Sequence, residues 1–571
     1  MQFADGGKGN FITGVHSPHP FLQFGGLFRF IVVHFMVQVG RQEQTFLLSA
    51  LVHSPFQFDQ AHTSIVAIEF RLPQHRITQF SKRYLERPHP NFYSVRVRQI
   101  ALSWFHMKPI SDSGQPGITR RAFMRTTTVA LTALSAGRVI GANERIRLGI
   151  IGFGLIGRIH TRSFKQQPDV DIVAVAETYQ PRLDAAAELV GGNVAKYRDF
   201  RRLLEDKNVD AAVVATPDHW HALMTMMACA AGKDVYVEKP LTLFTREGRW
   251  MVDVARRYQR VVQVGTQNRS GPPFQRARSL IQQGHVGDIV SIQNNFFRNV
   301  MPGLGNPPDQ DPPPELDYDL WLGPAPQRRY NPNRALYHFR WFWDYSGGQM
   351  TNLGQHSLDL VHWILGVQAP TAVYSSGGRR FLKDNCEVPD TQDAVLEYPG
   401  FNVVCEYREA SAGRDSLGMG ALVFNGTKGT MPVSRSGFEV FPDPKVNPVN
   451  TMATILGGHP VGGPQPIPEP KDQLWTTKEK DDSGQAMLDY GRHARNFLDC
   501  VKSRQTPVSD LESGHRVATA CHLANLSLRT GRKLVWDASR EEIVGDPQAN
   551  AMLVRPYRQP WDAELRALIA G

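Results

Sequence analysis

The stretch I-R-L-G-I-I-G-F-G-L-I-G, Ile146 to Gly157, decides the fold. Its first six residues form the short apolar run of a buried strand and lead into glycines at 152, 154 and 157. A helical stretch, R-I-H-T-R-S-F, follows from Arg158. Strand, glycine turn and helix in that order bring bare backbone close to a pyrophosphate at a helix N-terminus, where free N–H groups and the helix dipole favour an anion. A second strand, V-D-I-V-A-V-A from Val170 to Ala176, ends in Glu177, twenty residues beyond Gly157. A carboxylate there can hydrogen-bond the adenosine ribose hydroxyls and repels a 2′-phosphate, so the reading is a dinucleotide site preferring NAD to NADP. Gly152, Phe153, Gly154, Leu155, Ile156, Gly157 and Glu177 are its first candidate contacts.

The alternation continues downstream. Asp210 to Pro217 reads as a strand running into a loop, Asp218 to Lys233 as a helix ending at Gly232, and Asp234 to Pro240 as the next strand. E-G-R-W-M-V-D-V-A-R-R is helical, and Val261 to Arg269 is a further strand. Strands separated by helices of this length predict a doubly wound parallel sheet whose ligands bind at the carboxyl ends of the strands. Thr216, Lys239 and Gln267 fall at such ends. Beyond residue 268 the pattern changes to a helix (Q-R-A-R-S-L-I-Q-Q-G), a strand (G-D-I-V-S-I-Q-N-N-F-F) and a Pro-rich excursion from Pro302 to Pro332. Further strands are expected at Ala394 to Tyr398, at Asn402 to Tyr407 and in A-L-V-F-N-G-T-K-G-T, where Asn425 and Gly426 suit a turn. Residues 441–485 read as a surface loop, and helices around H-A-R-N-F-L-D-C-V and G-H-R-V-A-T-A-C-H-L-A-N-L-S-L-R are expected to pack back onto the core.

The set A-T-P-D-H-W-H, V-E-K-P, W-L-G-P-A-P and G-G-Q-M-T-N-L-G-Q-H-S-L-D resembles the Gfo/Idh/MocA oxidoreductase family over about residues 145 to 540. That resemblance implies an N-terminal Rossmann domain, 143–267, and a C-terminal α+β domain, 268–571, whose large, mostly antiparallel open sheet serves substrate binding and homo-oligomer contacts. It implies cofactor contacts from Thr216, Pro217, His221, Glu238, Lys239 and Gln267. Lys239 matches the lysine that hydrogen-bonds the reacting hydroxyl beside the nicotinamide, where its pKa is expected to fall, and Pro240 matches a proline usually in the cis form. Asn352 and His356 match positions usually held by Asp and His, and their i, i+4 spacing puts both on one helix face towards the substrate.

The Asn is a departure. It holds no charge and cannot stabilise a protonated imidazole as a carboxylate would. His356 is the expected proton acceptor, Lys239 the group that holds the substrate oxygen, and Asn352 the third catalytic candidate. Asp359 also matches a family position but reads as a helix or packing hydrogen bond. Arg269, Tyr337, His338, Arg340 and Trp341 offer polar and aromatic groups suited to sugar hydroxyls and ring faces, and join Lys239, Asn352 and His356 as candidate substrate contacts. The expected reaction moves a hydride between a sugar or polyol secondary alcohol and a tightly bound nicotinamide. An NAD-dependent redox-neutral glycosidase and a non-catalytic sugar-binding protein on the same fold are the alternatives.

Composition narrows the remaining classes. The chain has 571 residues, 41% of them hydrophobic and 21% charged, with a formal charge of +10. Residues 1–106 hold ten Lys and Arg against five Asp and Glu, residues 107–142 hold five against one, and only +1 is left from Asn143 onward. The basic excess is therefore no sign of a nucleic-acid partner. The first 106 residues, with 8 of the 19 His, show neither helical periodicity nor alternating strands and read as a spurious or disordered extension. The apolar run from Phe21 to Gly40 is interrupted by Arg29 and His34, so no stable membrane span is expected. Met107 reads as a better start, because T-R-R-A-F-M-R (Thr119 to Arg125) and the mildly apolar stretch after it match a twin-arginine signal over 107–142. This implies the Tat export machinery as a partner, a periplasmic or exported location, and a mature protein of about 430 residues. Five well-separated cysteines, without a C-x-x-C pair or His at zinc spacing, give no disulfide scaffold and no metal site.

Overall fold

The computed structural model describes residues 30–38, 45–53, 145–413, 422–443, 480–481 and 486–570. By contacts the chain divides into two units, Met1–Thr119 and Arg120–Gly571. In the first, strands Phe30–Gln38 and Thr45–His53 pair antiparallel, with Phe30 opposite His53 and Gln38 opposite Thr45. These two strands lie within the segment 1–106 that the sequence reads as a spurious or disordered extension. Runs such as I-V-V-H-F-M-V are rich in the β-branched and aromatic residues that suit a pleated surface, whatever their polar alternation. The twin-arginine stretch, 107–142, lies outside the described residues. No helix among the described residues is long and apolar enough to cross a membrane.

The second unit holds two sheets. The first has six parallel strands: β1 (Ile146–Ile151), β2 (Val170–Ala176), β3 (Ala195–Tyr197), β4 (Ala211–Val214), β5 (Asp234–Val237) and β6 (Val262–Val264). Their spatial order is β3-β2-β1-β4-β5-β6. Crossover helices α1 (Leu155–Lys165), α2 (Gln180–Val190), α3 (Phe200–Glu205), α4 (Asp218–Ala230) and α5 (Thr245–Arg257) cover it. Covered on both faces, β4 and β5 are buried at every residue, which is why they read as unbroken apolar runs. Each buried Leu148, Ile150, Val213 or Val235 contributes about 1.5–3 kcal/mol of burial.

The expected strand over Val261 to Arg269 stops at Val264. Residues Gln267–Ser270 instead coil into a short 3-10 helix, and Arg269 turns away to meet Asp359, which an extended chain would not allow.

The second sheet has eleven strands and is antiparallel throughout except where β7 (Ile289–Phe297) runs parallel to β10 (Phe401–Arg408). Its remaining core strands are β8 (Ala372–Gly378), β9 (Thr391–Tyr398), β11 (Leu422–Gly426) and β12 (Gly429–Ser434). Short strands β13 (Gly437–Glu439), β14 (Phe441–Pro442) and β15 (Lys480–Asp481) extend it on one edge, and β16 (Leu534–Asp537) with β17 (Glu542–Ile543) on the other. Asn425 and Gly426 are not the hairpin turn: Asn425 pairs with Thr430, and Thr427 and Lys428 make the turn. Gly426 is needed for a different reason, since a Cβ there would lie 2.1 Å from the Val286 carbonyl oxygen. Most of the expected surface loop, 444–479, lies outside the described residues.

Helices α6 (Pro272–Gln282), α7 (Tyr318–Leu322), α8 (Gly348–Asn352) and α9 (Gly354–Leu365) lie between β7 and its neighbours in sequence or just before them. Helices α10 (Ala486–Ser503), α11 (Leu511–Thr530), α12 (Pro547–Ala551) and α13 (Trp561–Ala570) close the chain. Phe497 and Leu498 of α10 pack with Phe164 and Tyr236, and Trp561 of α13 packs with Phe200 and Trp220. Segments from beyond residue 268 thus complete the core of the parallel sheet.

Candidate active site

The carboxyl ends of the parallel strands open into a cavity of about 530 Å³, at the point where the strand order reverses between β1 and β4. At one end Gly152, Gly154, Leu155 and Ile156 form its wall together with Glu177. Gly152 holds φ +90°, and a Cβ on it would lie 2.6 Å from the Ala215 carbonyl oxygen. A Cβ on Gly157 would lie 2.2 Å from the Gly152 oxygen, so α1 packs flush against the turn only with glycine there. Gly154 caps α1 without any side-chain hydrogen bond, leaving the first N–H groups of the helix for a ligand.

The Glu177 carboxylate is fixed at the strand end. It accepts from the Phe153 N–H at 2.8 Å and from the Tyr179 N–H at 3.1 Å. Thr216 and Pro217 line the same cavity, and the Thr216 Oγ1 is buried with no protein partner. A glycine cradle, a fixed acid and an orphaned hydroxyl on one wall are what a dinucleotide requires.

Lys239 occupies the centre, after β5, with the Lys239–Pro240 bond cis. Its ammonium donates to the Asn352 backbone oxygen and to Asn352 Oδ1, both at 3.0 Å. Because an ammonium has three protons, one remains for a ligand in the cavity. Burial lowers the Lys239 pKa to about 8, the Glu238 charge opposing and the Arg340 charge adding to that shift. Glu238 accepts from His160 Nε2 at 2.5 Å and from the Lys239 N–H at 3.0 Å. Burial, the largest influence, would raise this carboxyl, but the His160 hydrogen bond together with the charges of His160, Lys239 and His221 outweighs it and holds the group below its ordinary value.

His356 also lines the cavity. Burial, then the Lys239 and Arg435 charges, push its pKa well below the ordinary imidazole value, and its Nδ1 is buried without a partner. The expected single helix through Asn352 and His356 is broken at Leu353, between α8 and α9. The Asn352 amide accordingly serves Lys239 rather than His356. Its Nδ2 donates to Gln349 Oε1 at 2.9 Å, Gln349 Nε2 donates to Glu409 Oε1 at 2.6 Å, and Arg298 closes the chain on Glu409. An ammonium that only donates and a carboxylate that only accepts fix the orientation of both amides between them.

Several sequence candidates are absent from the cavity wall. Phe153 contributes its backbone to Glu177, and Gly157 packs behind the turn. His221 lies behind the cavity wall, with Nδ1 2.6 Å from the Pro240 oxygen and Nε2 2.8 Å from the Thr216 oxygen, tying two wall loops together. Gln267 is buried beside Tyr490, which does line the cavity. His338 stacks edge-on against Tyr337. Tyr337, Arg340 and Trp341 do reach the cavity.

Arg269 is not a substrate group. It forms a two-pronged ion pair with Asp359 at 2.6 and 2.8 Å, with side chains 4% and 0% exposed. Asp359 is thus a buried packing partner of Arg269. Asp359→Ala, which strands the guanidinium in the core, is expected to cost about 3–5 kcal/mol in urea denaturation.

The sequence reading missed Arg298, Gln349, Glu409, Arg435 and Tyr490. Only Gln349, three residues before Asn352 in G-G-Q-M-T-N, had a local cue. Among the described residues no group of three or more His, Cys, Asp or Glu is placed to hold a metal ion, and all five cysteines are buried and free.

Residues 146–266 match the Gfo/Idh/MocA model described as an oxidoreductase family with an NAD-binding Rossmann fold, and residues 285–455 and 479–563 match that family's C-terminal alpha/beta domain. The chain belongs to the Gfo/Idh/MocA oxidoreductase family. Among its relatives, the myo-inositol 2-dehydrogenase of Thermotoga maritima is 29% identical over 252 residues, 44% of this chain and 64% of that one. The rhizopine catabolism protein MocA of Rhizobium meliloti is 26% identical over 274 residues, 48% of this chain and 71% of that one. A levoglucosan dehydrogenase solved with NADH and levoglucosan shares the fold at a TM-score of 0.52 and 18% identity, over 70% of this chain and 100% of that one. The Rossmann domain of this Gfo/Idh/MocA protein is its NAD site, and the cradle, Glu177 and Thr216 are the groups that would hold the cofactor.

Proposed function

We propose that this Gfo/Idh/MocA protein moves a hydride between a secondary alcohol carbon of a sugar or polyol and NAD, with Lys239 and His356 acting on the alcohol oxygen. The observation that carries this is the Lys239 ammonium, held by two hydrogen bonds to Asn352 with its third proton left for a ligand, in a cavity shared with a neutral His356. Bound NAD supplies the hydride acceptor. The residues of this chain supply the rest. Tyr337 and Trp341 offer flat faces to a sugar ring, Lys239 donates to the reacting oxygen and stabilises its developing negative charge, and a ring nitrogen of His356 takes the hydroxyl proton.

Incubating the protein with NAD and a panel of sugars and polyols tests this reading. Steady NADH formation with at least one of them supports it. Release of sugar from aryl glycosides without net NADH would replace it by the redox-neutral glycosidase, and saturable sugar binding without either reaction by a binding protein. For the cofactor end, Glu177→Ser is expected to weaken NAD about tenfold or more and to narrow its advantage over NADP, read by fluorescence titration with both reduced cofactors.

The same proposal places the working protein outside the cytoplasm, supported by the arginine pair Arg120 and Arg121 followed by Phe123 and a mildly apolar run. N-terminal sequencing of the native protein tests it. A start before Met107 would contradict it.

A further inference from the structure

We propose that the alcohol substrate of this site carries an oxyanion, a carboxylate or a phosphate, which Arg340 and Arg435 receive. This rests on the oxidoreductase reading and narrows its substrate class. Both arginines line the cavity that holds Lys239 and His356. Arg340 has its guanidinium 5.1 Å from the Tyr337 ring centroid and 5.4 Å from that of Phe339, rings that position a cation without neutralising it. Arg435 donates from Nε to the amide oxygen of Asn268 at 3.0 Å, also a neutral partner. Among the described residues neither guanidinium is within ion-pair distance of a carboxylate.

The acids of the cavity are committed elsewhere. Of the acids that line it, Glu177 accepts from the Phe153 and Tyr179 N–H groups, Glu238 is bound to His160, and Asp218 accepts from the Ser346 hydroxyl at 2.5 Å while burial raises its pKa and so favours its neutral form. Two arginines and Lys239 therefore line one partly desolvated cavity, where like charges repel more than in water. The repulsion reaches the reacting groups: the Arg340 and Arg435 charges both act to depress the Lys239 pKa, and the Arg435 charge that of His356. The Glu238 and Asp218 charges oppose part of this field at Lys239, and an uncharged sugar adds nothing to that opposition. A carboxylate or phosphate answers the field with charge-assisted, two-pronged hydrogen bonds that match the planar guanidinium fork.

The test gives the protein and NAD matched substrate sets, each an uncharged sugar or polyol with its uronate or aldonate and its 6-phosphate, and follows NADH. The charged member is expected to exceed its neutral partner about tenfold or more in kcat/KM, an advantage that shrinks as salt is raised. The carboxylate and phosphate arms tell the two sources of the oxyanion apart. Arg340→Gln is expected to bring the charged-to-neutral ratio close to one. Neutral members that match or exceed their charged partners while NADH forms would overturn the oxyanion and leave the oxidoreductase reading standing. NADH from none of them would count against that reading instead. In that case the thermal shift of the NAD-loaded protein with D-glucuronate against D-glucose still decides the oxyanion, an equal shift overturning it and a larger shift with glucuronate supporting it.

Discussion

Lys239→Met is expected to lower kcat/KM for alcohol oxidation by about 10²- to 10³-fold, the loss that follows removal of one preorganised donor from a developing oxyanion. The magnitude follows from the geometry. Two of the three ammonium protons are spent on Asn352, and both acceptors belong to a residue whose amide is itself held by Gln349 and, through it, Glu409. The remaining donor is therefore aimed before substrate arrives, and no reorganisation is needed during the reaction. Methionine keeps most of the length of the side chain and removes a buried charge whose desolvation works against folding, so the melting temperature should change little. Steady-state kinetics beside a thermal melt separate the two effects. A variant retaining activity within threefold would remove Lys239 from the chemistry.

What could be read from the sequence divides by range. The glycine turn, Glu177 and the strand ends carrying Thr216 and Lys239 are local: strand, turn and helix within about thirty residues dictate where they lie, and the cavity wall contains them. The i, i+4 spacing of Asn352 and His356 predicts one shared helix face, but the two lie on separate helices and the Asn352 amide meets Lys239. Spacing shows which residues share a helical face but not that the helix ends at Asn352 and restarts at Gly354, which hands the amide to Lys239, 113 residues earlier in the chain. Arg269 looked like a strand-end ligand for the same reason, and only the 3-10 turn sends it to Asp359. Arg298 and Glu409 have no local signature at all. They meet because β7 lies parallel to β10, with Phe297 opposite Arg408, a pairing across more than one hundred residues that no short window records.

His356→Ala is expected to lower kcat by about 10²- to 10⁴-fold, the range for loss of a positioned proton acceptor, and the pH dependence separates its role from that of Lys239. A base must be deprotonated to work. Burial and the neighbouring cations hold the His356 pKa well below the ordinary imidazole value, so the imidazole is neutral at pH 7 and oxidation should show no acid limb near neutrality. A donor must be protonated, and Lys239, with a pKa of about 8, loses that proton as the pH rises through 8. The wild-type kcat/KM for alcohol oxidation is therefore expected to be flat near neutrality and to fall above about pH 8, and Lys239→Met should lose that limb. With the roles reversed, Lys239 as base would need to be deprotonated and the rate would climb through pH 8. Profiles of wild type, Lys239→Met and His356→Ala against the same alcohol decide between them, and a rising limb near 8 in the wild type would assign the proton to Lys239 and leave His356 as a hydrogen-bond partner.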